Sequence, residues 1–244
     1  MRYSAVTHRG LVRKENEDSI FASTTPAGSM MNLFMVADGM GGHVGGRYAS
    51  RFVIDKMQQL VLSAETDIGD PAGILTYAAK IANSELYEEA GLKEGLHGMG
   101  TTLVAASIAD GSLYAINVGD SRLYLFDGEL HQLTRDHSWV EEMVADGKME
   151  RDGLLYRMRK NIITRAIGIE EKVQVDSFTC RTDGVSRVLL CSDGLTNMLS
   201  NDVIAGVLSR PDDCETLAEL LIELSNEAGG TDNISVILID LTIE

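Results

Sequence analysis

A chain of 244 residues, 44% hydrophobic and 24% charged, has material for one large core or at most two small ones. Its formal net charge of −16 sets up long-range repulsion toward nucleic-acid backbones and anionic membranes, which argues against both as partners, and is compatible with divalent cations. Three cysteines, Cys180, Cys191 and Cys214, are an odd number without C-x-x-C spacing, so reduced thiols in a cytoplasmic protein are expected rather than a disulfide frame.

The first eighteen residues are dense in charge and hold no apolar segment of signal-peptide length. Residues 19–37 carry no charge, yet Thr24, Thr25, Pro26, Gly28 and Asn32 interrupt them with turn chemistry, which argues against a membrane-spanning helix. No repeat, low-complexity tract or linker-like shift in composition divides the chain, and one domain over 1–244 is expected. Strands are predicted over 2–7 and 19–23. The segment between them, containing Arg13-Lys14-Glu15-Asn16-Glu17-Asp18, has no apolar periodicity and reads either as a solvated loop or as a set of functional charges.

Residues 33–37 are continuously apolar, as in a buried strand, and then break on Asp38-Gly39-Met40-Gly41-Gly42-His43. An Asp there either holds a cation or caps the helix that follows, and the glycines let backbone approach closely. Apolar residues at helical spacing predict helices over 46–62 and 71–90. Strand-like runs at 101–109, 112–118 and 123–126, separated by Asp110-Gly111 and by Gly119-Asp120-Ser121-Arg122, read as an antiparallel meander, with Asp127-Gly128 as a further hairpin turn. A short helix over 138–146 precedes a charged, glycine-bearing stretch, 147–161, of surface-flap character. Strands return at 173–180 and 186–192, the second ending on Asp193-Gly194. Helices at 202–208 and 215–228 and a strand at 233–241, entered through Gly230-Thr231-Asp232-Asn233, complete the series. Strands and helices in blocks, with hairpins predominating, predict an α+β protein with antiparallel sheets carrying helices.

Asp18, Asp38, Asp193 and Asp232 thus share one context, at strand ends or beside glycine turns. Carboxylates brought together from separate loops are the ligands of hard cations such as Mg²⁺ and Mn²⁺. Other inventories are missing from the sequence: it has no G-x-x-x-x-G-K-[ST], no H-E-x-x-H, and no Cys followed at the sixth position by Arg.

The ordered series Arg13 to Asp18, Ala37-Asp38-Gly39-Met40-Gly41-Gly42-His43, Gly100-Thr101-Thr102, Val118 to Arg122, Ser192-Asp193-Gly194-Leu195 and Gly230 to Ile234 resembles the metal-dependent serine/threonine phosphatases of the protein phosphatase 2C family, in its bacterial branch. The resemblance covers essentially the whole chain. It implies a four-layer α-β-β-α sandwich with two central antiparallel sheets flanked by helices. It also implies that Asp38 bridges two tightly bound Mn²⁺ or Mg²⁺ ions, that Gly39 offers its carbonyl, that Asp193 and Asp232 hold one ion, and that Glu17 and Asp18 bind directly or through water. Asp120 with Asp193 would hold a third, weaker ion. Water acidified by the ions would attack phosphorus in line, so no protein nucleophile is implied. Arg13 matches the family's phosphate-binding arginine, whose planar guanidinium meets two phosphate oxygens. Residues 142–165, with Arg157, Arg159, Lys160, Asn161 and Arg165, match the variable flap beside the site, and their basic groups would attract phosphopeptides.

One departure from the family pattern concerns the leaving-group acid. Eukaryotic relatives carry a His directly after the Asp-Gly, whereas Met40 stands here and the histidine comes at His43. His43 is either a general acid or a loop histidine with a structural hydrogen bond, and both readings stay open. The activity implied is hydrolysis of phosphoserine and phosphothreonine in proteins by a monomer opposing a bacterial serine/threonine kinase. Alternatives are a regulatory phosphatase dedicated to one phosphoserine partner and an inactive family member that only binds.

Overall fold

A computed structural model of the chain describes residues 1–28, 30–42, 45–63, 70–151 and 153–242, and at Arg157 the backbone alone. The elements in order are β1 (Arg2–His8), β2 (Ser19–Ser23), β3 (Leu33–Ala37), β4 (Gly39–Met40), α1 (Gly45–Ser63), α2 (Pro71–Leu92), β5 (Gly100–Thr101), β6 (Leu103–Ala109), β7 (Ser112–Val118), β8 (Arg122–Phe126) and β9 (Leu130–Gln132). They are followed by α3 (Trp139–Ala145), α4 (Leu154–Arg159), β10 (Asp176–Arg181), β11 (Arg187–Cys191), α5 (Asp193–Thr196), α6 (Asn201–Leu208), α7 (Cys214–Glu227) and β12 (Ile234–Asp240). Two five-stranded sheets, ordered β1-β12-β11-β8-β9 and β10-β7-β6-β3-β2, are antiparallel throughout.

Period-two alternation explains the layering. On β3, Phe34 and Val36 point into the inter-sheet core with Val104, Ala106, Leu190 and Ile237, while Leu33, Met35 and Ala37 face Val53, Met57 and Leu75 of α1 and α2. Every residue of β3 is buried because both faces are covered, which is why the strand reads as an unbroken apolar run. Each large side chain buried there contributes about 1.5–3 kcal/mol. On the opposite sheet, Leu189, Cys191, Val236 and Leu238 turn to Ile204 and Leu208 of α6 and Leu217 and Leu221 of α7. The layers therefore run helix, sheet, sheet, helix, as the resemblance implied.

Helix starts follow capping chemistry. Asp70 accepts from Gly73 N–H at 2.8 Å ahead of Pro71 in the first turn, and Asp213 does the same for Thr216 at 2.9 Å.

The predicted meander is corrected. β6 and β7 form the expected hairpin, but β8 pairs with β11 and β9 in the other sheet, so Gly119-Asp120-Ser121 crosses between sheets instead of closing a hairpin. The strand predicted over 173–180 begins only at Asp176; Val173 and Val175 pack against the helix-side core from outside it. The expected hairpin turn at Asp127-Gly128 joins β8 to β9, a strand given no bounds from sequence; the single-turn helix α5 is not among the predicted elements, and the flap stretch contains α4. All three cysteines are free: Cys180 and Cys191 lie in strands, and Cys214 opens α7.

Candidate metal and phosphate site

Register brings the singled-out residues to one end of the sandwich. In one sheet Thr7 opposes Ser235, and Cys191 opposes both Val236 and Arg122; in the other Ser19 opposes Ala37, and Leu103 opposes Val118. The three-residue crossover from Val118 to Arg122 joins these two ends directly, so Asp18, Asp38, Asp120, Asp193 and Asp232 all emerge there.

Each aspartate is fixed by backbone or by short polar side chains. At Asp38 the N–H donates to Thr102 Oγ1 at 2.9 Å, and the carbonyl accepts from Thr102 N–H and Thr101 Oγ1, both at 2.9 Å. Its main chain is thereby satisfied, leaving the carboxyl to face the other aspartates. Asp18 is buried; its Oδ2 accepts from Ser192 Oγ at 2.8 Å and Ser235 Oγ at 2.6 Å, while its Oδ1 has no partner. Asp193 opens α5 and accepts from Asn197 Nδ2 at 2.8 Å. Asp120 is buried with Oδ1 again unpartnered. Asp232 receives Arg13 Nη2 on Oδ2 at 2.7 Å and Asn233 N–H on Oδ1 at 2.8 Å.

The Arg13–Asp18 segment is a loop, exposed from Arg13 to Glu15, whose main chain is tied to the site. Asn233 straps it down: its Oδ1 accepts from Glu17 N–H at 2.8 Å, and its Nδ2 donates to the carbonyls of Arg9 and Glu15, both at 2.9 Å. Ser50 of α1 donates to the Glu17 carbonyl at 2.5 Å. Gly39 lies so close to Gly46 of α1 that a Cβ at Gly39 would run into the Gly46 carbonyl, and a Cβ at Gly46 would meet the Glu17 carboxylate. The absence of side chains at both positions lets α1, the Asp38 loop and Glu17 meet.

Crowding of carboxylates in a water-poor setting governs their acidity. Burial, offset in part by the two serine hydrogen bonds, pushes Asp18 up to about 7. Burial and then repulsion from Asp232 push Asp193 up to about 6. Asp38 and Asp120 are both driven well above the ordinary carboxylate range, by burial first and by neighbouring aspartates second. The Arg13 pKa is raised as well, chiefly by its hydrogen bond to Asp232, which for a guanidinium favours the charged form.

The protein phosphatase 2C family model matches residues 8–225, which include Arg13, Asp18, Asp38, Asp120 and Asp193 and end before Asp232. The chain belongs to that family. The phosphatase is 37% identical over 240 residues to the serine/threonine phosphatase stp of Listeria monocytogenes, covering 96% of this chain and 93% of that one. It is 34% identical over 246 residues to protein phosphatase PhpP of Streptococcus pneumoniae, covering 100% and 99%. Among solved structures, a bacterial serine phosphatase superposes with a TM-score of 0.91 at 31% identity over 100% of this chain and 99% of that one. The Mycobacterium tuberculosis phosphatase PstP/Ppp superposes with 0.86 at 36% identity over 98% of each. The protein is a serine/threonine protein phosphatase, and its substrates are phosphorylated proteins.

The phosphatase's acidic cluster fits a hard cation. Its donors are all oxygens, two of them buried and unpartnered, and the aspartates repel one another in the absence of a positive charge between them. As they stand, no three acidic, histidine or cysteine side chains among the described residues are drawn together at ligand spacing.

The flap closes one side of the cluster. Buried Glu141 accepts from Tyr156 Oη and from Arg151 Nη2, the latter at 2.7 Å, tying α3 to α4. A small cavity of about 30 Å³ is shared by Asp120, Asp193, Tyr156, Lys160 and Asn161. Of the flap's other basic residues, Arg159 lies over the Trp139 ring with its guanidinium carbon 5.4 Å from the centroid, and Arg165 pairs with Asp176 at 2.7 Å. The Arg157 side chain and His43 lie outside the described residues. A larger groove of about 770 Å³ runs along α1 past Arg47, Phe52 and Gln59 and has none of the five aspartates in its lining. Asn233, Ser192, Ser235 and Thr102 support the site without having been singled out from sequence, although each lies inside a quoted motif or next to one.

Proposed function

We propose that the phosphatase hydrolyses phosphoserine and phosphothreonine in proteins with Mn²⁺ or Mg²⁺, two ions tightly held and a third held more weakly. The observation that carries this reading is the gathering of five aspartates from both sheets around buried, unpartnered carboxylate oxygens. In this reading Asp38 and the Gly39 carbonyl would hold the tight pair. Asp193 and Asp232 would hold one ion, Glu17 and Asp18 would bind directly or through water, and Asp120 with Asp193 would take the weaker ion. Bound there, the ions supply charge compensation and lower the pKa of the water they carry, so that it serves as nucleophile toward phosphorus.

The chain's own residues then bind and orient. Arg13, half exposed and now paired with Asp232, turns its fork to the phosphate once cations compete for that carboxylate. His43 is the proposed proton donor to the departing serine or threonine oxygen. Free thiols support a cytoplasmic setting, and no helix among the described residues is long and apolar enough to cross a membrane. A single catalytic domain over 1–244, acting as a monomer against a serine/threonine kinase's substrates, completes the proposal. Phosphopeptide hydrolysis that requires added Mn²⁺ and stops with EDTA is the expected result; turnover unaffected by chelation would refute the metal reading.

A further inference from the structure

Beneath the Gly119–Asp120 crossover lies a buried histidine that the proposed chemistry does not use. His137 accepts from Gly119 N–H through ring Nδ1 at 3.0 Å, and its own N–H donates to the Gly119 carbonyl at 3.0 Å, which also accepts from Asn117 Nδ2 at 3.2 Å; the ring of His137 is the partner of the Gly119 N–H. With Nδ1 accepting, the proton sits on Nε2, which donates to Asp176 Oδ2 at 3.1 Å. Arg165 flanks the ring with Nη1 3.0 Å from Nε2 and donates to the other oxygen of Asp176 at 2.7 Å. Burial holds the imidazole below its ordinary pKa, in keeping with a neutral ring. The His137 carbonyl in turn accepts from Thr164 N–H at 2.9 Å, where the flap returns to the body of the protein.

Gly119 needs such a clamp. Its φ of +106° is left-handed territory, and a Cβ there would press on Thr102, the residue that fixes the Asp38 main chain. Thr102 Oγ1 and Ser121 Oγ stand 2.7 Å apart on the other side of Asp120. The Asp120 carboxyl is thus aimed by main chain held between His137 and Thr102.

We infer that His137 is a positioning residue that sets the Asp120 carboxyl for the weaker cation and ties that setting to the end of the flap. This rests on the proposed role of Asp120 and adds a residue to it. A supporting partner of this kind, when lost, typically lowers metal affinity 10–100-fold.

Three substitutions separate positioning from mere packing. Asn at position 137 places an acceptor where Nδ1 lies, Gln reaches the Nε2 position instead, and Phe fills the space with neither. Expected for His137→Phe and His137→Gln are Mn²⁺ affinity at the weaker site reduced roughly tenfold or more by calorimetry, unchanged tight binding, and faster hydrogen exchange at the Gly119 amide. His137→Asn should keep all three close to the parent protein. If Gln serves as well as Asn, if Phe changes neither exchange nor weak-site affinity, or if all three variants lose the tight ions together, the inference is overturned. Should the Phe variant not fold, the comparison of Asn with Gln decides. Asp120→Asn is the companion control: unaltered Mn²⁺ binding in it would sink the proposed role of Asp120, and His137 would then be judged by amide exchange alone, where unchanged protection in the Gln variant overturns it.

Discussion

Removing the Asn233 side chain should loosen the phosphate-binding end of the site without deleting the side chain of a proposed metal ligand. Asn233→Ala deletes three hydrogen bonds, from Glu17 N–H and to the carbonyls of Arg9 and Glu15, at a position only 5% exposed. At about 1 kcal/mol net for each, the loss is about 3 kcal/mol, less if water reaches the freed groups. For a chain of this size, where 1 kcal/mol shifts Tm by about 2–4 °C, that corresponds to a fall of about 6–12 °C. Function should suffer unevenly, because the strap holds the segment that carries Arg13 and Glu17. The expected outcome is a KM for phosphopeptide that rises several-fold more than kcat falls. Differential scanning calorimetry in EDTA, paired with steady-state kinetics in saturating Mn²⁺, measures both effects. A Tm within 2 °C of the parent together with an unchanged KM would refute the strap.

Asp193→Ala should abolish turnover of phosphopeptide in Mn²⁺, since water cannot replace the carboxylate's charge; near-parent activity would contradict a metal role for it. Arg13→Ala should raise phosphopeptide KM roughly tenfold while Mn²⁺ binding is retained or tightened, because Asp232 loses its competing partner; weakened metal binding with unchanged KM would be the contrary result. Asp18 at about 7 and Asp193 at about 6 lie above the usual unfolded value of 3.8, so their contribution is present in full below that value and is lost as pH rises through 6 to 7. His137, shifted downward, loses stability only as pH falls below 6.5, so the test belongs above that. In EDTA, Tm should drop between pH 6.5 and 8.5, and Mn²⁺ should reverse the drop; a flat profile in EDTA would count against the crowded carboxylates. His43→Ala should slow phosphopeptide hydrolysis more than that of p-nitrophenyl phosphate, whose phenolate leaves without a proton, and equal losses would favour a structural histidine.

What the sequence made legible depended on how many neighbours a residue needs to declare itself. Strand β3 was readable because burial on both faces leaves only apolar residues in a run, and α1 and α2 because a helix exposes its period over many turns. The change of sheet between β7 and β8 was not readable, since alternation states that a strand has two faces but not which sheet it joins. A three-residue strand such as β9 and a one-turn helix such as α5 are too short to show any period. Within the site, the aspartates stood out because a charge at the end of an apolar strand is unusual. Ser192, Ser235, Asn233 and His137 did not, because what a short polar side chain does is set by partners far away in sequence, as with the 217 positions separating Ser235 from Asp18.

Strand β12 lies between β1 and β11, and Asp232 and Asn233 stand immediately before it. Arg13 meets Asp232 across 219 positions of chain, and Glu17 meets Asn233 across 216. Pairings this remote must wait until a long loop has closed, which gives the fold a high contact order and slow final assembly. During synthesis the sheet ordered β10-β7-β6-β3-β2 can form with α1 and α2 in place while β1 still has an open edge and the Arg13 loop has nothing to hold it. A ribosome-bound chain stopped before residue 232 therefore lacks Asp232, Asn233 and the strand that joins β1 to β11, and the loop that carries Arg13 and Glu17 gains its fastenings only when β12 slots between its two neighbours.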